Sequence, residues 1–245
     1  MLATGADISL AKKLGLVTTT QADALAIRGY VHSDLQIESL IFSFETAILP
    51  GYAWIFPLPS GVYNVGFGVF GKSAASGVNL REYLNKFLGS FPLAQELLRY
   101  GEFVSEPKGA RLRCGFRGSI PIAFDGKVML IGENIGTTFQ ATGEGIGKAM
   151  ESGLFAADLA ANFLISGDEG FLLQYPQLLN AELKPKYRGY QIAERCLSVP
   201  WIADLVARRA NRSQFILDSL RGIVNETSDP DQVFSLKGII KSFVS

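Results

Sequence analysis

The segment Pro50-Gly51-Tyr52-Ala53-Trp54-Ile55-Phe56-Pro57 constrains the fold of this chain more than any other stretch. Its three rings recur at i, i+2 and i+4. On an extended chain, where successive side chains point to opposite faces, Tyr52, Trp54 and Phe56 therefore share one face. A helix would scatter the same rings around its circumference. Phe42 and Phe44 repeat the period-two spacing upstream, and aromatic and β-branched residues suit a pleated, half-buried surface. Pro57-Leu58-Pro59-Ser60-Gly61 interrupts the run, and Tyr63 to Phe70 resumes it with Val65, Phe67 and Val69 directed inward. The spacing predicts strands between Leu35 and Phe70 folded back as an antiparallel hairpin. On the residues alone, the aromatic face is either a sheet side buried under a helix or an apolar wall for a ligand.

Helical patterns flank the sheet. Ser9 to Leu16 has helical spacing and meets Gly15, a residue suited to a C-cap. Asn79 is placed to cap a helix from Leu80 to Leu88, with Leu80, Tyr83, Leu84, Phe87 and Leu88 on one face. Leu93 to Tyr100 is a second short helix. Lys127 to Ile131 reads as a strand, Gly132 to Gly145 is glycine-rich, and Glu144 to Ile165 reads as a long helix. Beyond Asp168 the chain is mostly helical, punctuated by Pro185, Pro200 and Pro230. Leu2-Ala3-Thr4-Gly5-Ala6 has the character of a strand end followed by a tight turn. The expected class is α+β, a mixed α/β chain.

Composition removes several kinds of function. The 245 residues are 48% apolar, enough for one large domain or two modest ones. With 23 basic and 23 acidic side chains there is no overall field to attract a polyanion, so no nucleic acid partner is expected. His32 is the one histidine, which excludes a multi-histidine metal site, and no metal is expected. Cys114 and Cys196 form no CxxC pair and suit a reducing compartment. Neither His32 nor Cys114 is assigned a catalytic role. The start lacks the basic and apolar regions of a secretory leader. The apolar stretch Gly153 to Ile165 is short and broken by Asp158 and Asn162. A cytoplasmic protein is expected, with peripheral contact to a membrane as the other possibility.

Two glycine segments look like nucleotide sites. Gly66-Phe67-Gly68-Val69-Phe70-Gly71-Lys72-Ser73 satisfies both GxGxxG and GxxxxGK[ST]. A P-loop needs its helix to begin at once so that backbone N–H groups wrap the phosphate. Here the better helix start is Asn79, and Val69 and Phe70 suit a continuing strand. The segment is therefore read as a glycine-bearing hairpin strand, with a P-loop nucleotide binder as the lesser alternative. The second segment runs through Val128-Met129-Leu130-Ile131-Gly132-Glu133-Asn134-Ile135-Gly136 to Gly143-Glu144-Gly145-Ile146-Gly147. A strand, a glycine turn with a carboxylate and a glycine-led helix can present N–H groups to a polar or anionic cofactor edge. A loop of close-packed glycines is the plain alternative.

Taken together, the Ala3-Thr4-Gly5-Ala6 start, the PxxYxWxFP segment and the two glycine clusters resemble the geranylgeranyl reductase family, FAD-dependent oxidoreductases of the broader p-hydroxybenzoate hydroxylase type. The resemblance extends over nearly the whole chain, including Tyr187 to Ser245. It implies a truncated FAD-binding domain, residues 1–20 and 123–166, around an antiparallel-sheet substrate domain, residues 21–122, with C-terminal helices over 167–245. It implies FAD as cofactor, contacted by Thr4, Gly5, Gly132, Glu133, Gly136, Gly143, Glu144, Gly145 and Ile146. It also implies a prenyl or other hydrophobic substrate bordered by Tyr52, Trp54 and Phe56. The family pattern carries Asp where this chain has Glu133 and Pro where it has Gln140. Its pyrophosphate-binding GxGxxG turn would lie upstream of Ala3. The implied reaction is hydride transfer from reduced flavin to a carbon–carbon double bond, with no catalytic side chain assigned and the electron donor open. A monooxygenase or halogenase of the same fold is one alternative, since YxWxFP is similar to the halogenase WxWxIP pattern. A non-catalytic lipid-binding protein is another. The basic excess of Lys184, Lys186, Arg188, Arg195, Arg208, Arg209, Arg212 and Arg221 is read as a solvated helix face or a surface for anionic lipid.

Overall fold

The structure, a computed structural model, describes residues 1–19, 21–49, 51–71, 74, 77–197, 199–210, 212–228 and 230. Two compact units are present. One is Ala22–Arg111; the other joins Met1–Gln21 to Leu112–Ser245. The first is thus inserted into the second along the chain.

In the inserted unit the period-two pattern becomes a sheet of β1 (Ala24–Ser33), β2 (Ile41–Ser43), β3 (Tyr52–Leu58), β4 (Val62–Phe70), β5 (Gly101–Phe103) and β6 (Lys108–Leu112). The strand order is β2-β3-β4-β1-β5, with β6 also paired to β1. The β3–β4 hairpin is antiparallel, pairing Trp54 with Gly66 and Ile55 with Val65. Strand β1 is the longest in the sheet and lies outside the stretch expected to be extended. Its small residues Ala24, Ala26 and Gly29 and the exposed Arg28 hide the alternation. Gly29 is small because a Cβ there would come within 2.8 Å of the Phe103 ring. Among the described residues between Leu35 and Gly51 only Ile41–Ser43 is strand, and Phe44 follows its end.

Two helices cover one face of this sheet. Helix α2 (Leu80–Ser90) starts where Asn79 accepts a hydrogen bond from the Glu82 N–H at 3.3 Å. Helix α3 (Pro92–Arg99) carries its proline in the first turn, where the missing N–H costs nothing. Leu84, Phe87, Ala94 and Leu97 meet Ile27, Val31, Ala53, Ile55, Val65, Phe67 and Val69 in one core. Gly66 and Gly68 sit inside β4, in the sheet ladder, and not in a phosphate-wrapping turn. Lys72 and Ser73 of the P-loop pattern lie outside the described residues.

The second unit begins with a parallel bridge between Leu2 and Leu130 and the short helix α1 (Ser9–Lys13). Strands β7 (Ile122–Ala123) and β8 (Val128–Met129) form a small hairpin. A 3₁₀ turn over Gly132–Ile135 leads to helix α4 (Ile146–Ser166). Helices α5 (Gly170–Leu173), α6 (Tyr175–Leu178), α7 (Lys184–Leu197), α8 (Pro200–Ala210) and α9 (Gln214–Val224) follow. Leu130, Ile135, Phe139, Leu159, Tyr175, Leu183, Tyr187 and Tyr190 share one core, so the C-terminal helices pack with the glycine block. Among the described residues, no helix is long and apolar enough to cross a membrane.

Candidate functional site

The aromatic residues lie on the sheet face opposite α2 and α3. The two faces of β3 divide the work: Ala53 and Ile55 join the helix-covered core, while Tyr52, Trp54 and Phe56 point the other way. Of the two readings open from the sequence, burial under the unit's own helices belongs to the other face. The rings form a continuous pavement. Centroids are 5.8 Å apart for Tyr52 and Trp54, 6.1 Å for Trp54 and Phe56, 5.0 Å for Phe42 and Phe56, and 5.6 Å for Phe44 and Tyr52. Phe70 stacks on Tyr52 at 10°. Phe44 remains 53% exposed.

Gly66 makes this pavement flat. A Cβ at that position would lie 2.2 Å from Cζ2 of Trp54, so the indole occupies the space a side chain would have taken. Its Nε1–H donates to Asn64 Oδ1 at 3.0 Å, fixing the ring across β4.

In the other unit the turn after β8 gathers the residues expected to hold a cofactor. Leu2 N–H donates to Met129 O at 2.7 Å and Ile131 N–H to Leu2 O at 3.0 Å, which brings Thr4 and Gly5 beside the turn. Asn134 is fully buried, and its amide donates to Thr4 Oγ1 at 3.1 Å. Gly136 ends the turn at φ +75°, a conformation that favours glycine. Phe139 N–H donates to Glu144 O at 2.7 Å, closing the loop that carries Gly143, Glu144 and Gly145 against it. Gly145 has no room for a Cβ, which would come 2.6 Å from Thr138 Oγ1.

The two carboxylates of the block differ. Glu133 is engaged within the protein: its oxygens accept from Arg113 N–H and, at 2.7 Å, from Thr138 Oγ1–H. Glu144 accepts from the Gly147 N–H at 2.7 Å in the first turn of α4. Burial raises its pKa above the ordinary carboxylate value, and the charges of Glu226 and Glu151 add to this against the opposing Gly147 N–H and Lys148. Lys148 is buried on α4 and paired with Glu226 at 2.7 Å and Glu151 at 3.0 Å. Burial opposes its charge, but the two carboxylates prevail and its pKa is raised.

Thr137 Oγ1, Gln140 Oε1 and Glu144 Oε2 are buried and have no hydrogen-bond partner within the described protein. Buried polar atoms are almost always satisfied, so three unmatched oxygens in one loop beside a helix N-terminus fit the polar edge of a bound flavin. The pattern around this loop also involves residues that spacing did not reveal. Arg113 is buried, and its Nη1 donates to Asn134 O at 2.9 Å while Nη2 donates to Arg117 O. Tyr187 of α7 donates its hydroxyl proton to Thr137 O and packs between Phe116 and Phe139. Both lie far along the chain from the glycines they brace, so no local motif announces them. Gln140 was visible only as a departure from a family pattern.

Residues 25–100 match the geranylgeranyl reductase catalytic domain. The chain is 30% identical over 211 residues to a digeranylgeranylglycerophospholipid reductase of Methanosphaera stadtmanae, covering 82% of this chain and 50% of the relative. It is 28% identical over 246 residues to a menaquinone reductase of Mycolicibacterium smegmatis, covering 94% of this chain and 57% of the relative. Its fold is similar to that of a geranylgeranyl bacteriochlorophyll reductase-like protein of Thermoplasma acidophilum, with a TM-score of 0.66 at 22% identity over 99% of this chain and 57% of that one. It is also similar to halogenase PltM in complex with phloroglucinol and FAD, with a TM-score of 0.55 at 18% identity over 95% of this chain and 51% of that one. These structural likenesses show a shared fold. The chain spans about half the length of the curated relatives it matches.

Proposed function

We propose that this chain, a member of the geranylgeranyl reductase family, serves an FAD-dependent reduction of carbon–carbon double bonds in a prenyl lipid. The observation that carries the reading is the paved sheet face, which presents six rings on the side its own helices leave uncovered. Burying one isoprene unit against such a surface contributes roughly 4 kcal/mol, at about 0.8 kcal/mol for each CH₂-sized group. That term holds a chain without dictating its length. Thr137, Gln140, Glu144 and the first turn of α4 would hold the polar edge of FAD, while Thr4, Asn134 and Arg113 brace the turn behind it. The flavin, when bound and reduced by an electron donor, would supply the hydride. The protein's share is to bind and orient the prenyl chain and to keep water from it.

The test uses the purified full chain. Incubation with FAD, removal of free cofactor and a spectrum would show flavin absorbance at about 450 nm if the cofactor is held. Turnover with a chemical reductant and a geranylgeranyl lipid should then yield a product heavier by the hydrogens of each reduced double bond. A hydroxylated or halogenated product would overturn the reduction. A colourless protein that still binds prenyl lipid would favour the second reading, a non-catalytic lipid binder, to which the internal engagement of Glu133 lends support.

Peripheral contact with a membrane is a finer part of the same proposal. Trp201 is 67% exposed and Leu205 40% exposed, one turn apart on α8, with Arg208 exposed on the following turn. That combination suits the boundary of an anionic bilayer. The double substitution Trp201→Ala with Leu205→Ala is expected to release the protein from anionic vesicles in a sedimentation assay while leaving its unfolding temperature unchanged.

A further inference from the structure

We infer that Arg28 reads the headgroup of the lipid and selects an anionic one, a phosphate ester. The inference rests on the prenyl-lipid reading of the aromatic face. It begins with the sheet register. Trp54 pairs with Phe42 on one side and with Gly66 on the other, and Gly66 pairs in turn with Arg28. Residues directly opposite one another in an antiparallel sheet share a face, so Phe42, Trp54, Gly66 and Arg28 form one row on the paved side. Gly66 contributes no side chain and the indole lies over it, which makes the guanidinium the next group in the row after the indole.

Arg28 is exposed, and its guanidinium carbon lies 4.7 Å from the centre of the Tyr30 ring. A cation–π contact of this kind uses the charge of the guanidinium rather than its hydrogen-bond donors, so the N–H groups stay available to a ligand. Among the described residues no carboxylate is paired with it; the surface cations Arg81, Lys86 and Arg221 each have an acidic partner. A fork of N–H donors beside a greasy pavement matches an amphiphile with an apolar tail and a tetrahedral anion at its end. The relatives make the choice concrete, because one is named for a glycerophospholipid and another for a quinone, which is neutral. The cation favours the phospholipid class.

The test follows Trp54 fluorescence in full-length protein carrying Trp201→Phe, with geranylgeranyl phosphate, geranylgeraniol and inorganic phosphate as separate titrants. The phosphate ester is expected to bind about tenfold more tightly than the alcohol, the usual scale of a charge-assisted contact. Arg28→Gln should remove that preference and leave alcohol binding unchanged, and Arg28→Lys should retain part of it. Added salt should erode the preference in the parent protein, which tests the charge without any substitution at Arg28. A preference that survives both Arg28→Gln and salt overturns the assignment. A saturable response to inorganic phosphate alone would make this a site for the free anion and overturn the headgroup reading. If neither prenyl compound perturbs Trp54, the platform reading itself fails.

Discussion

Trp54 and Gly66 show how a single missing side chain sets a surface. Gly66→Ala would push a methyl group into the indole and to within 2.6 Å of the Ile27 carbonyl oxygen, so the ring must lift or the strands must part. We expect a loss of about 2 kcal/mol in urea unfolding. In a Trp54→Ala background the loss should shrink but persist, because the backbone contact remains. Glu144 gives a pH-dependent counterpart. Its folded-state pKa lies above the ordinary value, so its ionisation weighs against the fold as pH rises through that raised pKa, and has no such effect below the unfolded value. Glu144→Gln is therefore expected to match the parent in thermal stability at about pH 4 and to exceed it near neutrality. Equal melting temperatures at both pH values would refute this.

At the level of elements, α7 acts as the backing of the glycine loop. Tyr187 satisfies the Thr137 carbonyl and Tyr190 stacks on Phe139 with centroids 4.0 Å apart. Tyr187→Phe leaves that carbonyl unpaired and should cost about 1–2 kcal/mol, read by chemical denaturation. If the loop holds flavin, the same substitution should also weaken FAD retention. The start of α2 was legible because a cap is local: Asn79 acts within one turn of its own position. Strand β1 was not, because its faces are defined by Phe103, Gly66 and Gly68, which reach it from other parts of the chain. A small residue in a strand looks the same in sequence whether it is a gap or a fit.

At the scale of the whole molecule, the described residues form two separate cores, and each unit carries one tryptophan, Trp54 in the inserted unit and Trp201 in the other. Single-tryptophan proteins can therefore follow each core. Phe67→Ala should destabilise the transition reported by Trp54 by about 3–5 kcal/mol, and Phe139→Ala the one reported by Trp201 by a similar amount. Each unit must bury its own apolar face, and neither core contains a residue of the other. Equal effects of both substitutions on both probes would show instead that the chain unfolds as one cooperative unit.

Spacing by itself determined that Tyr52, Trp54 and Phe56 share a face and that a glycine turn precedes a long helix, and it favoured a strand over a phosphate loop for Tyr63 to Phe70. Those features follow from backbone periodicity and caps, which act over a few residues. Only the tertiary structure decided which sheet face the helices take, that Arg28 stands in the row of Trp54, that Glu133 is held by Arg113 and Thr138, and that Tyr187 supports the glycine loop. Strand register and the direction of a hydrogen bond depend on which distant segments the burial of apolar surface brings together, and that choice is made by the chain as a whole.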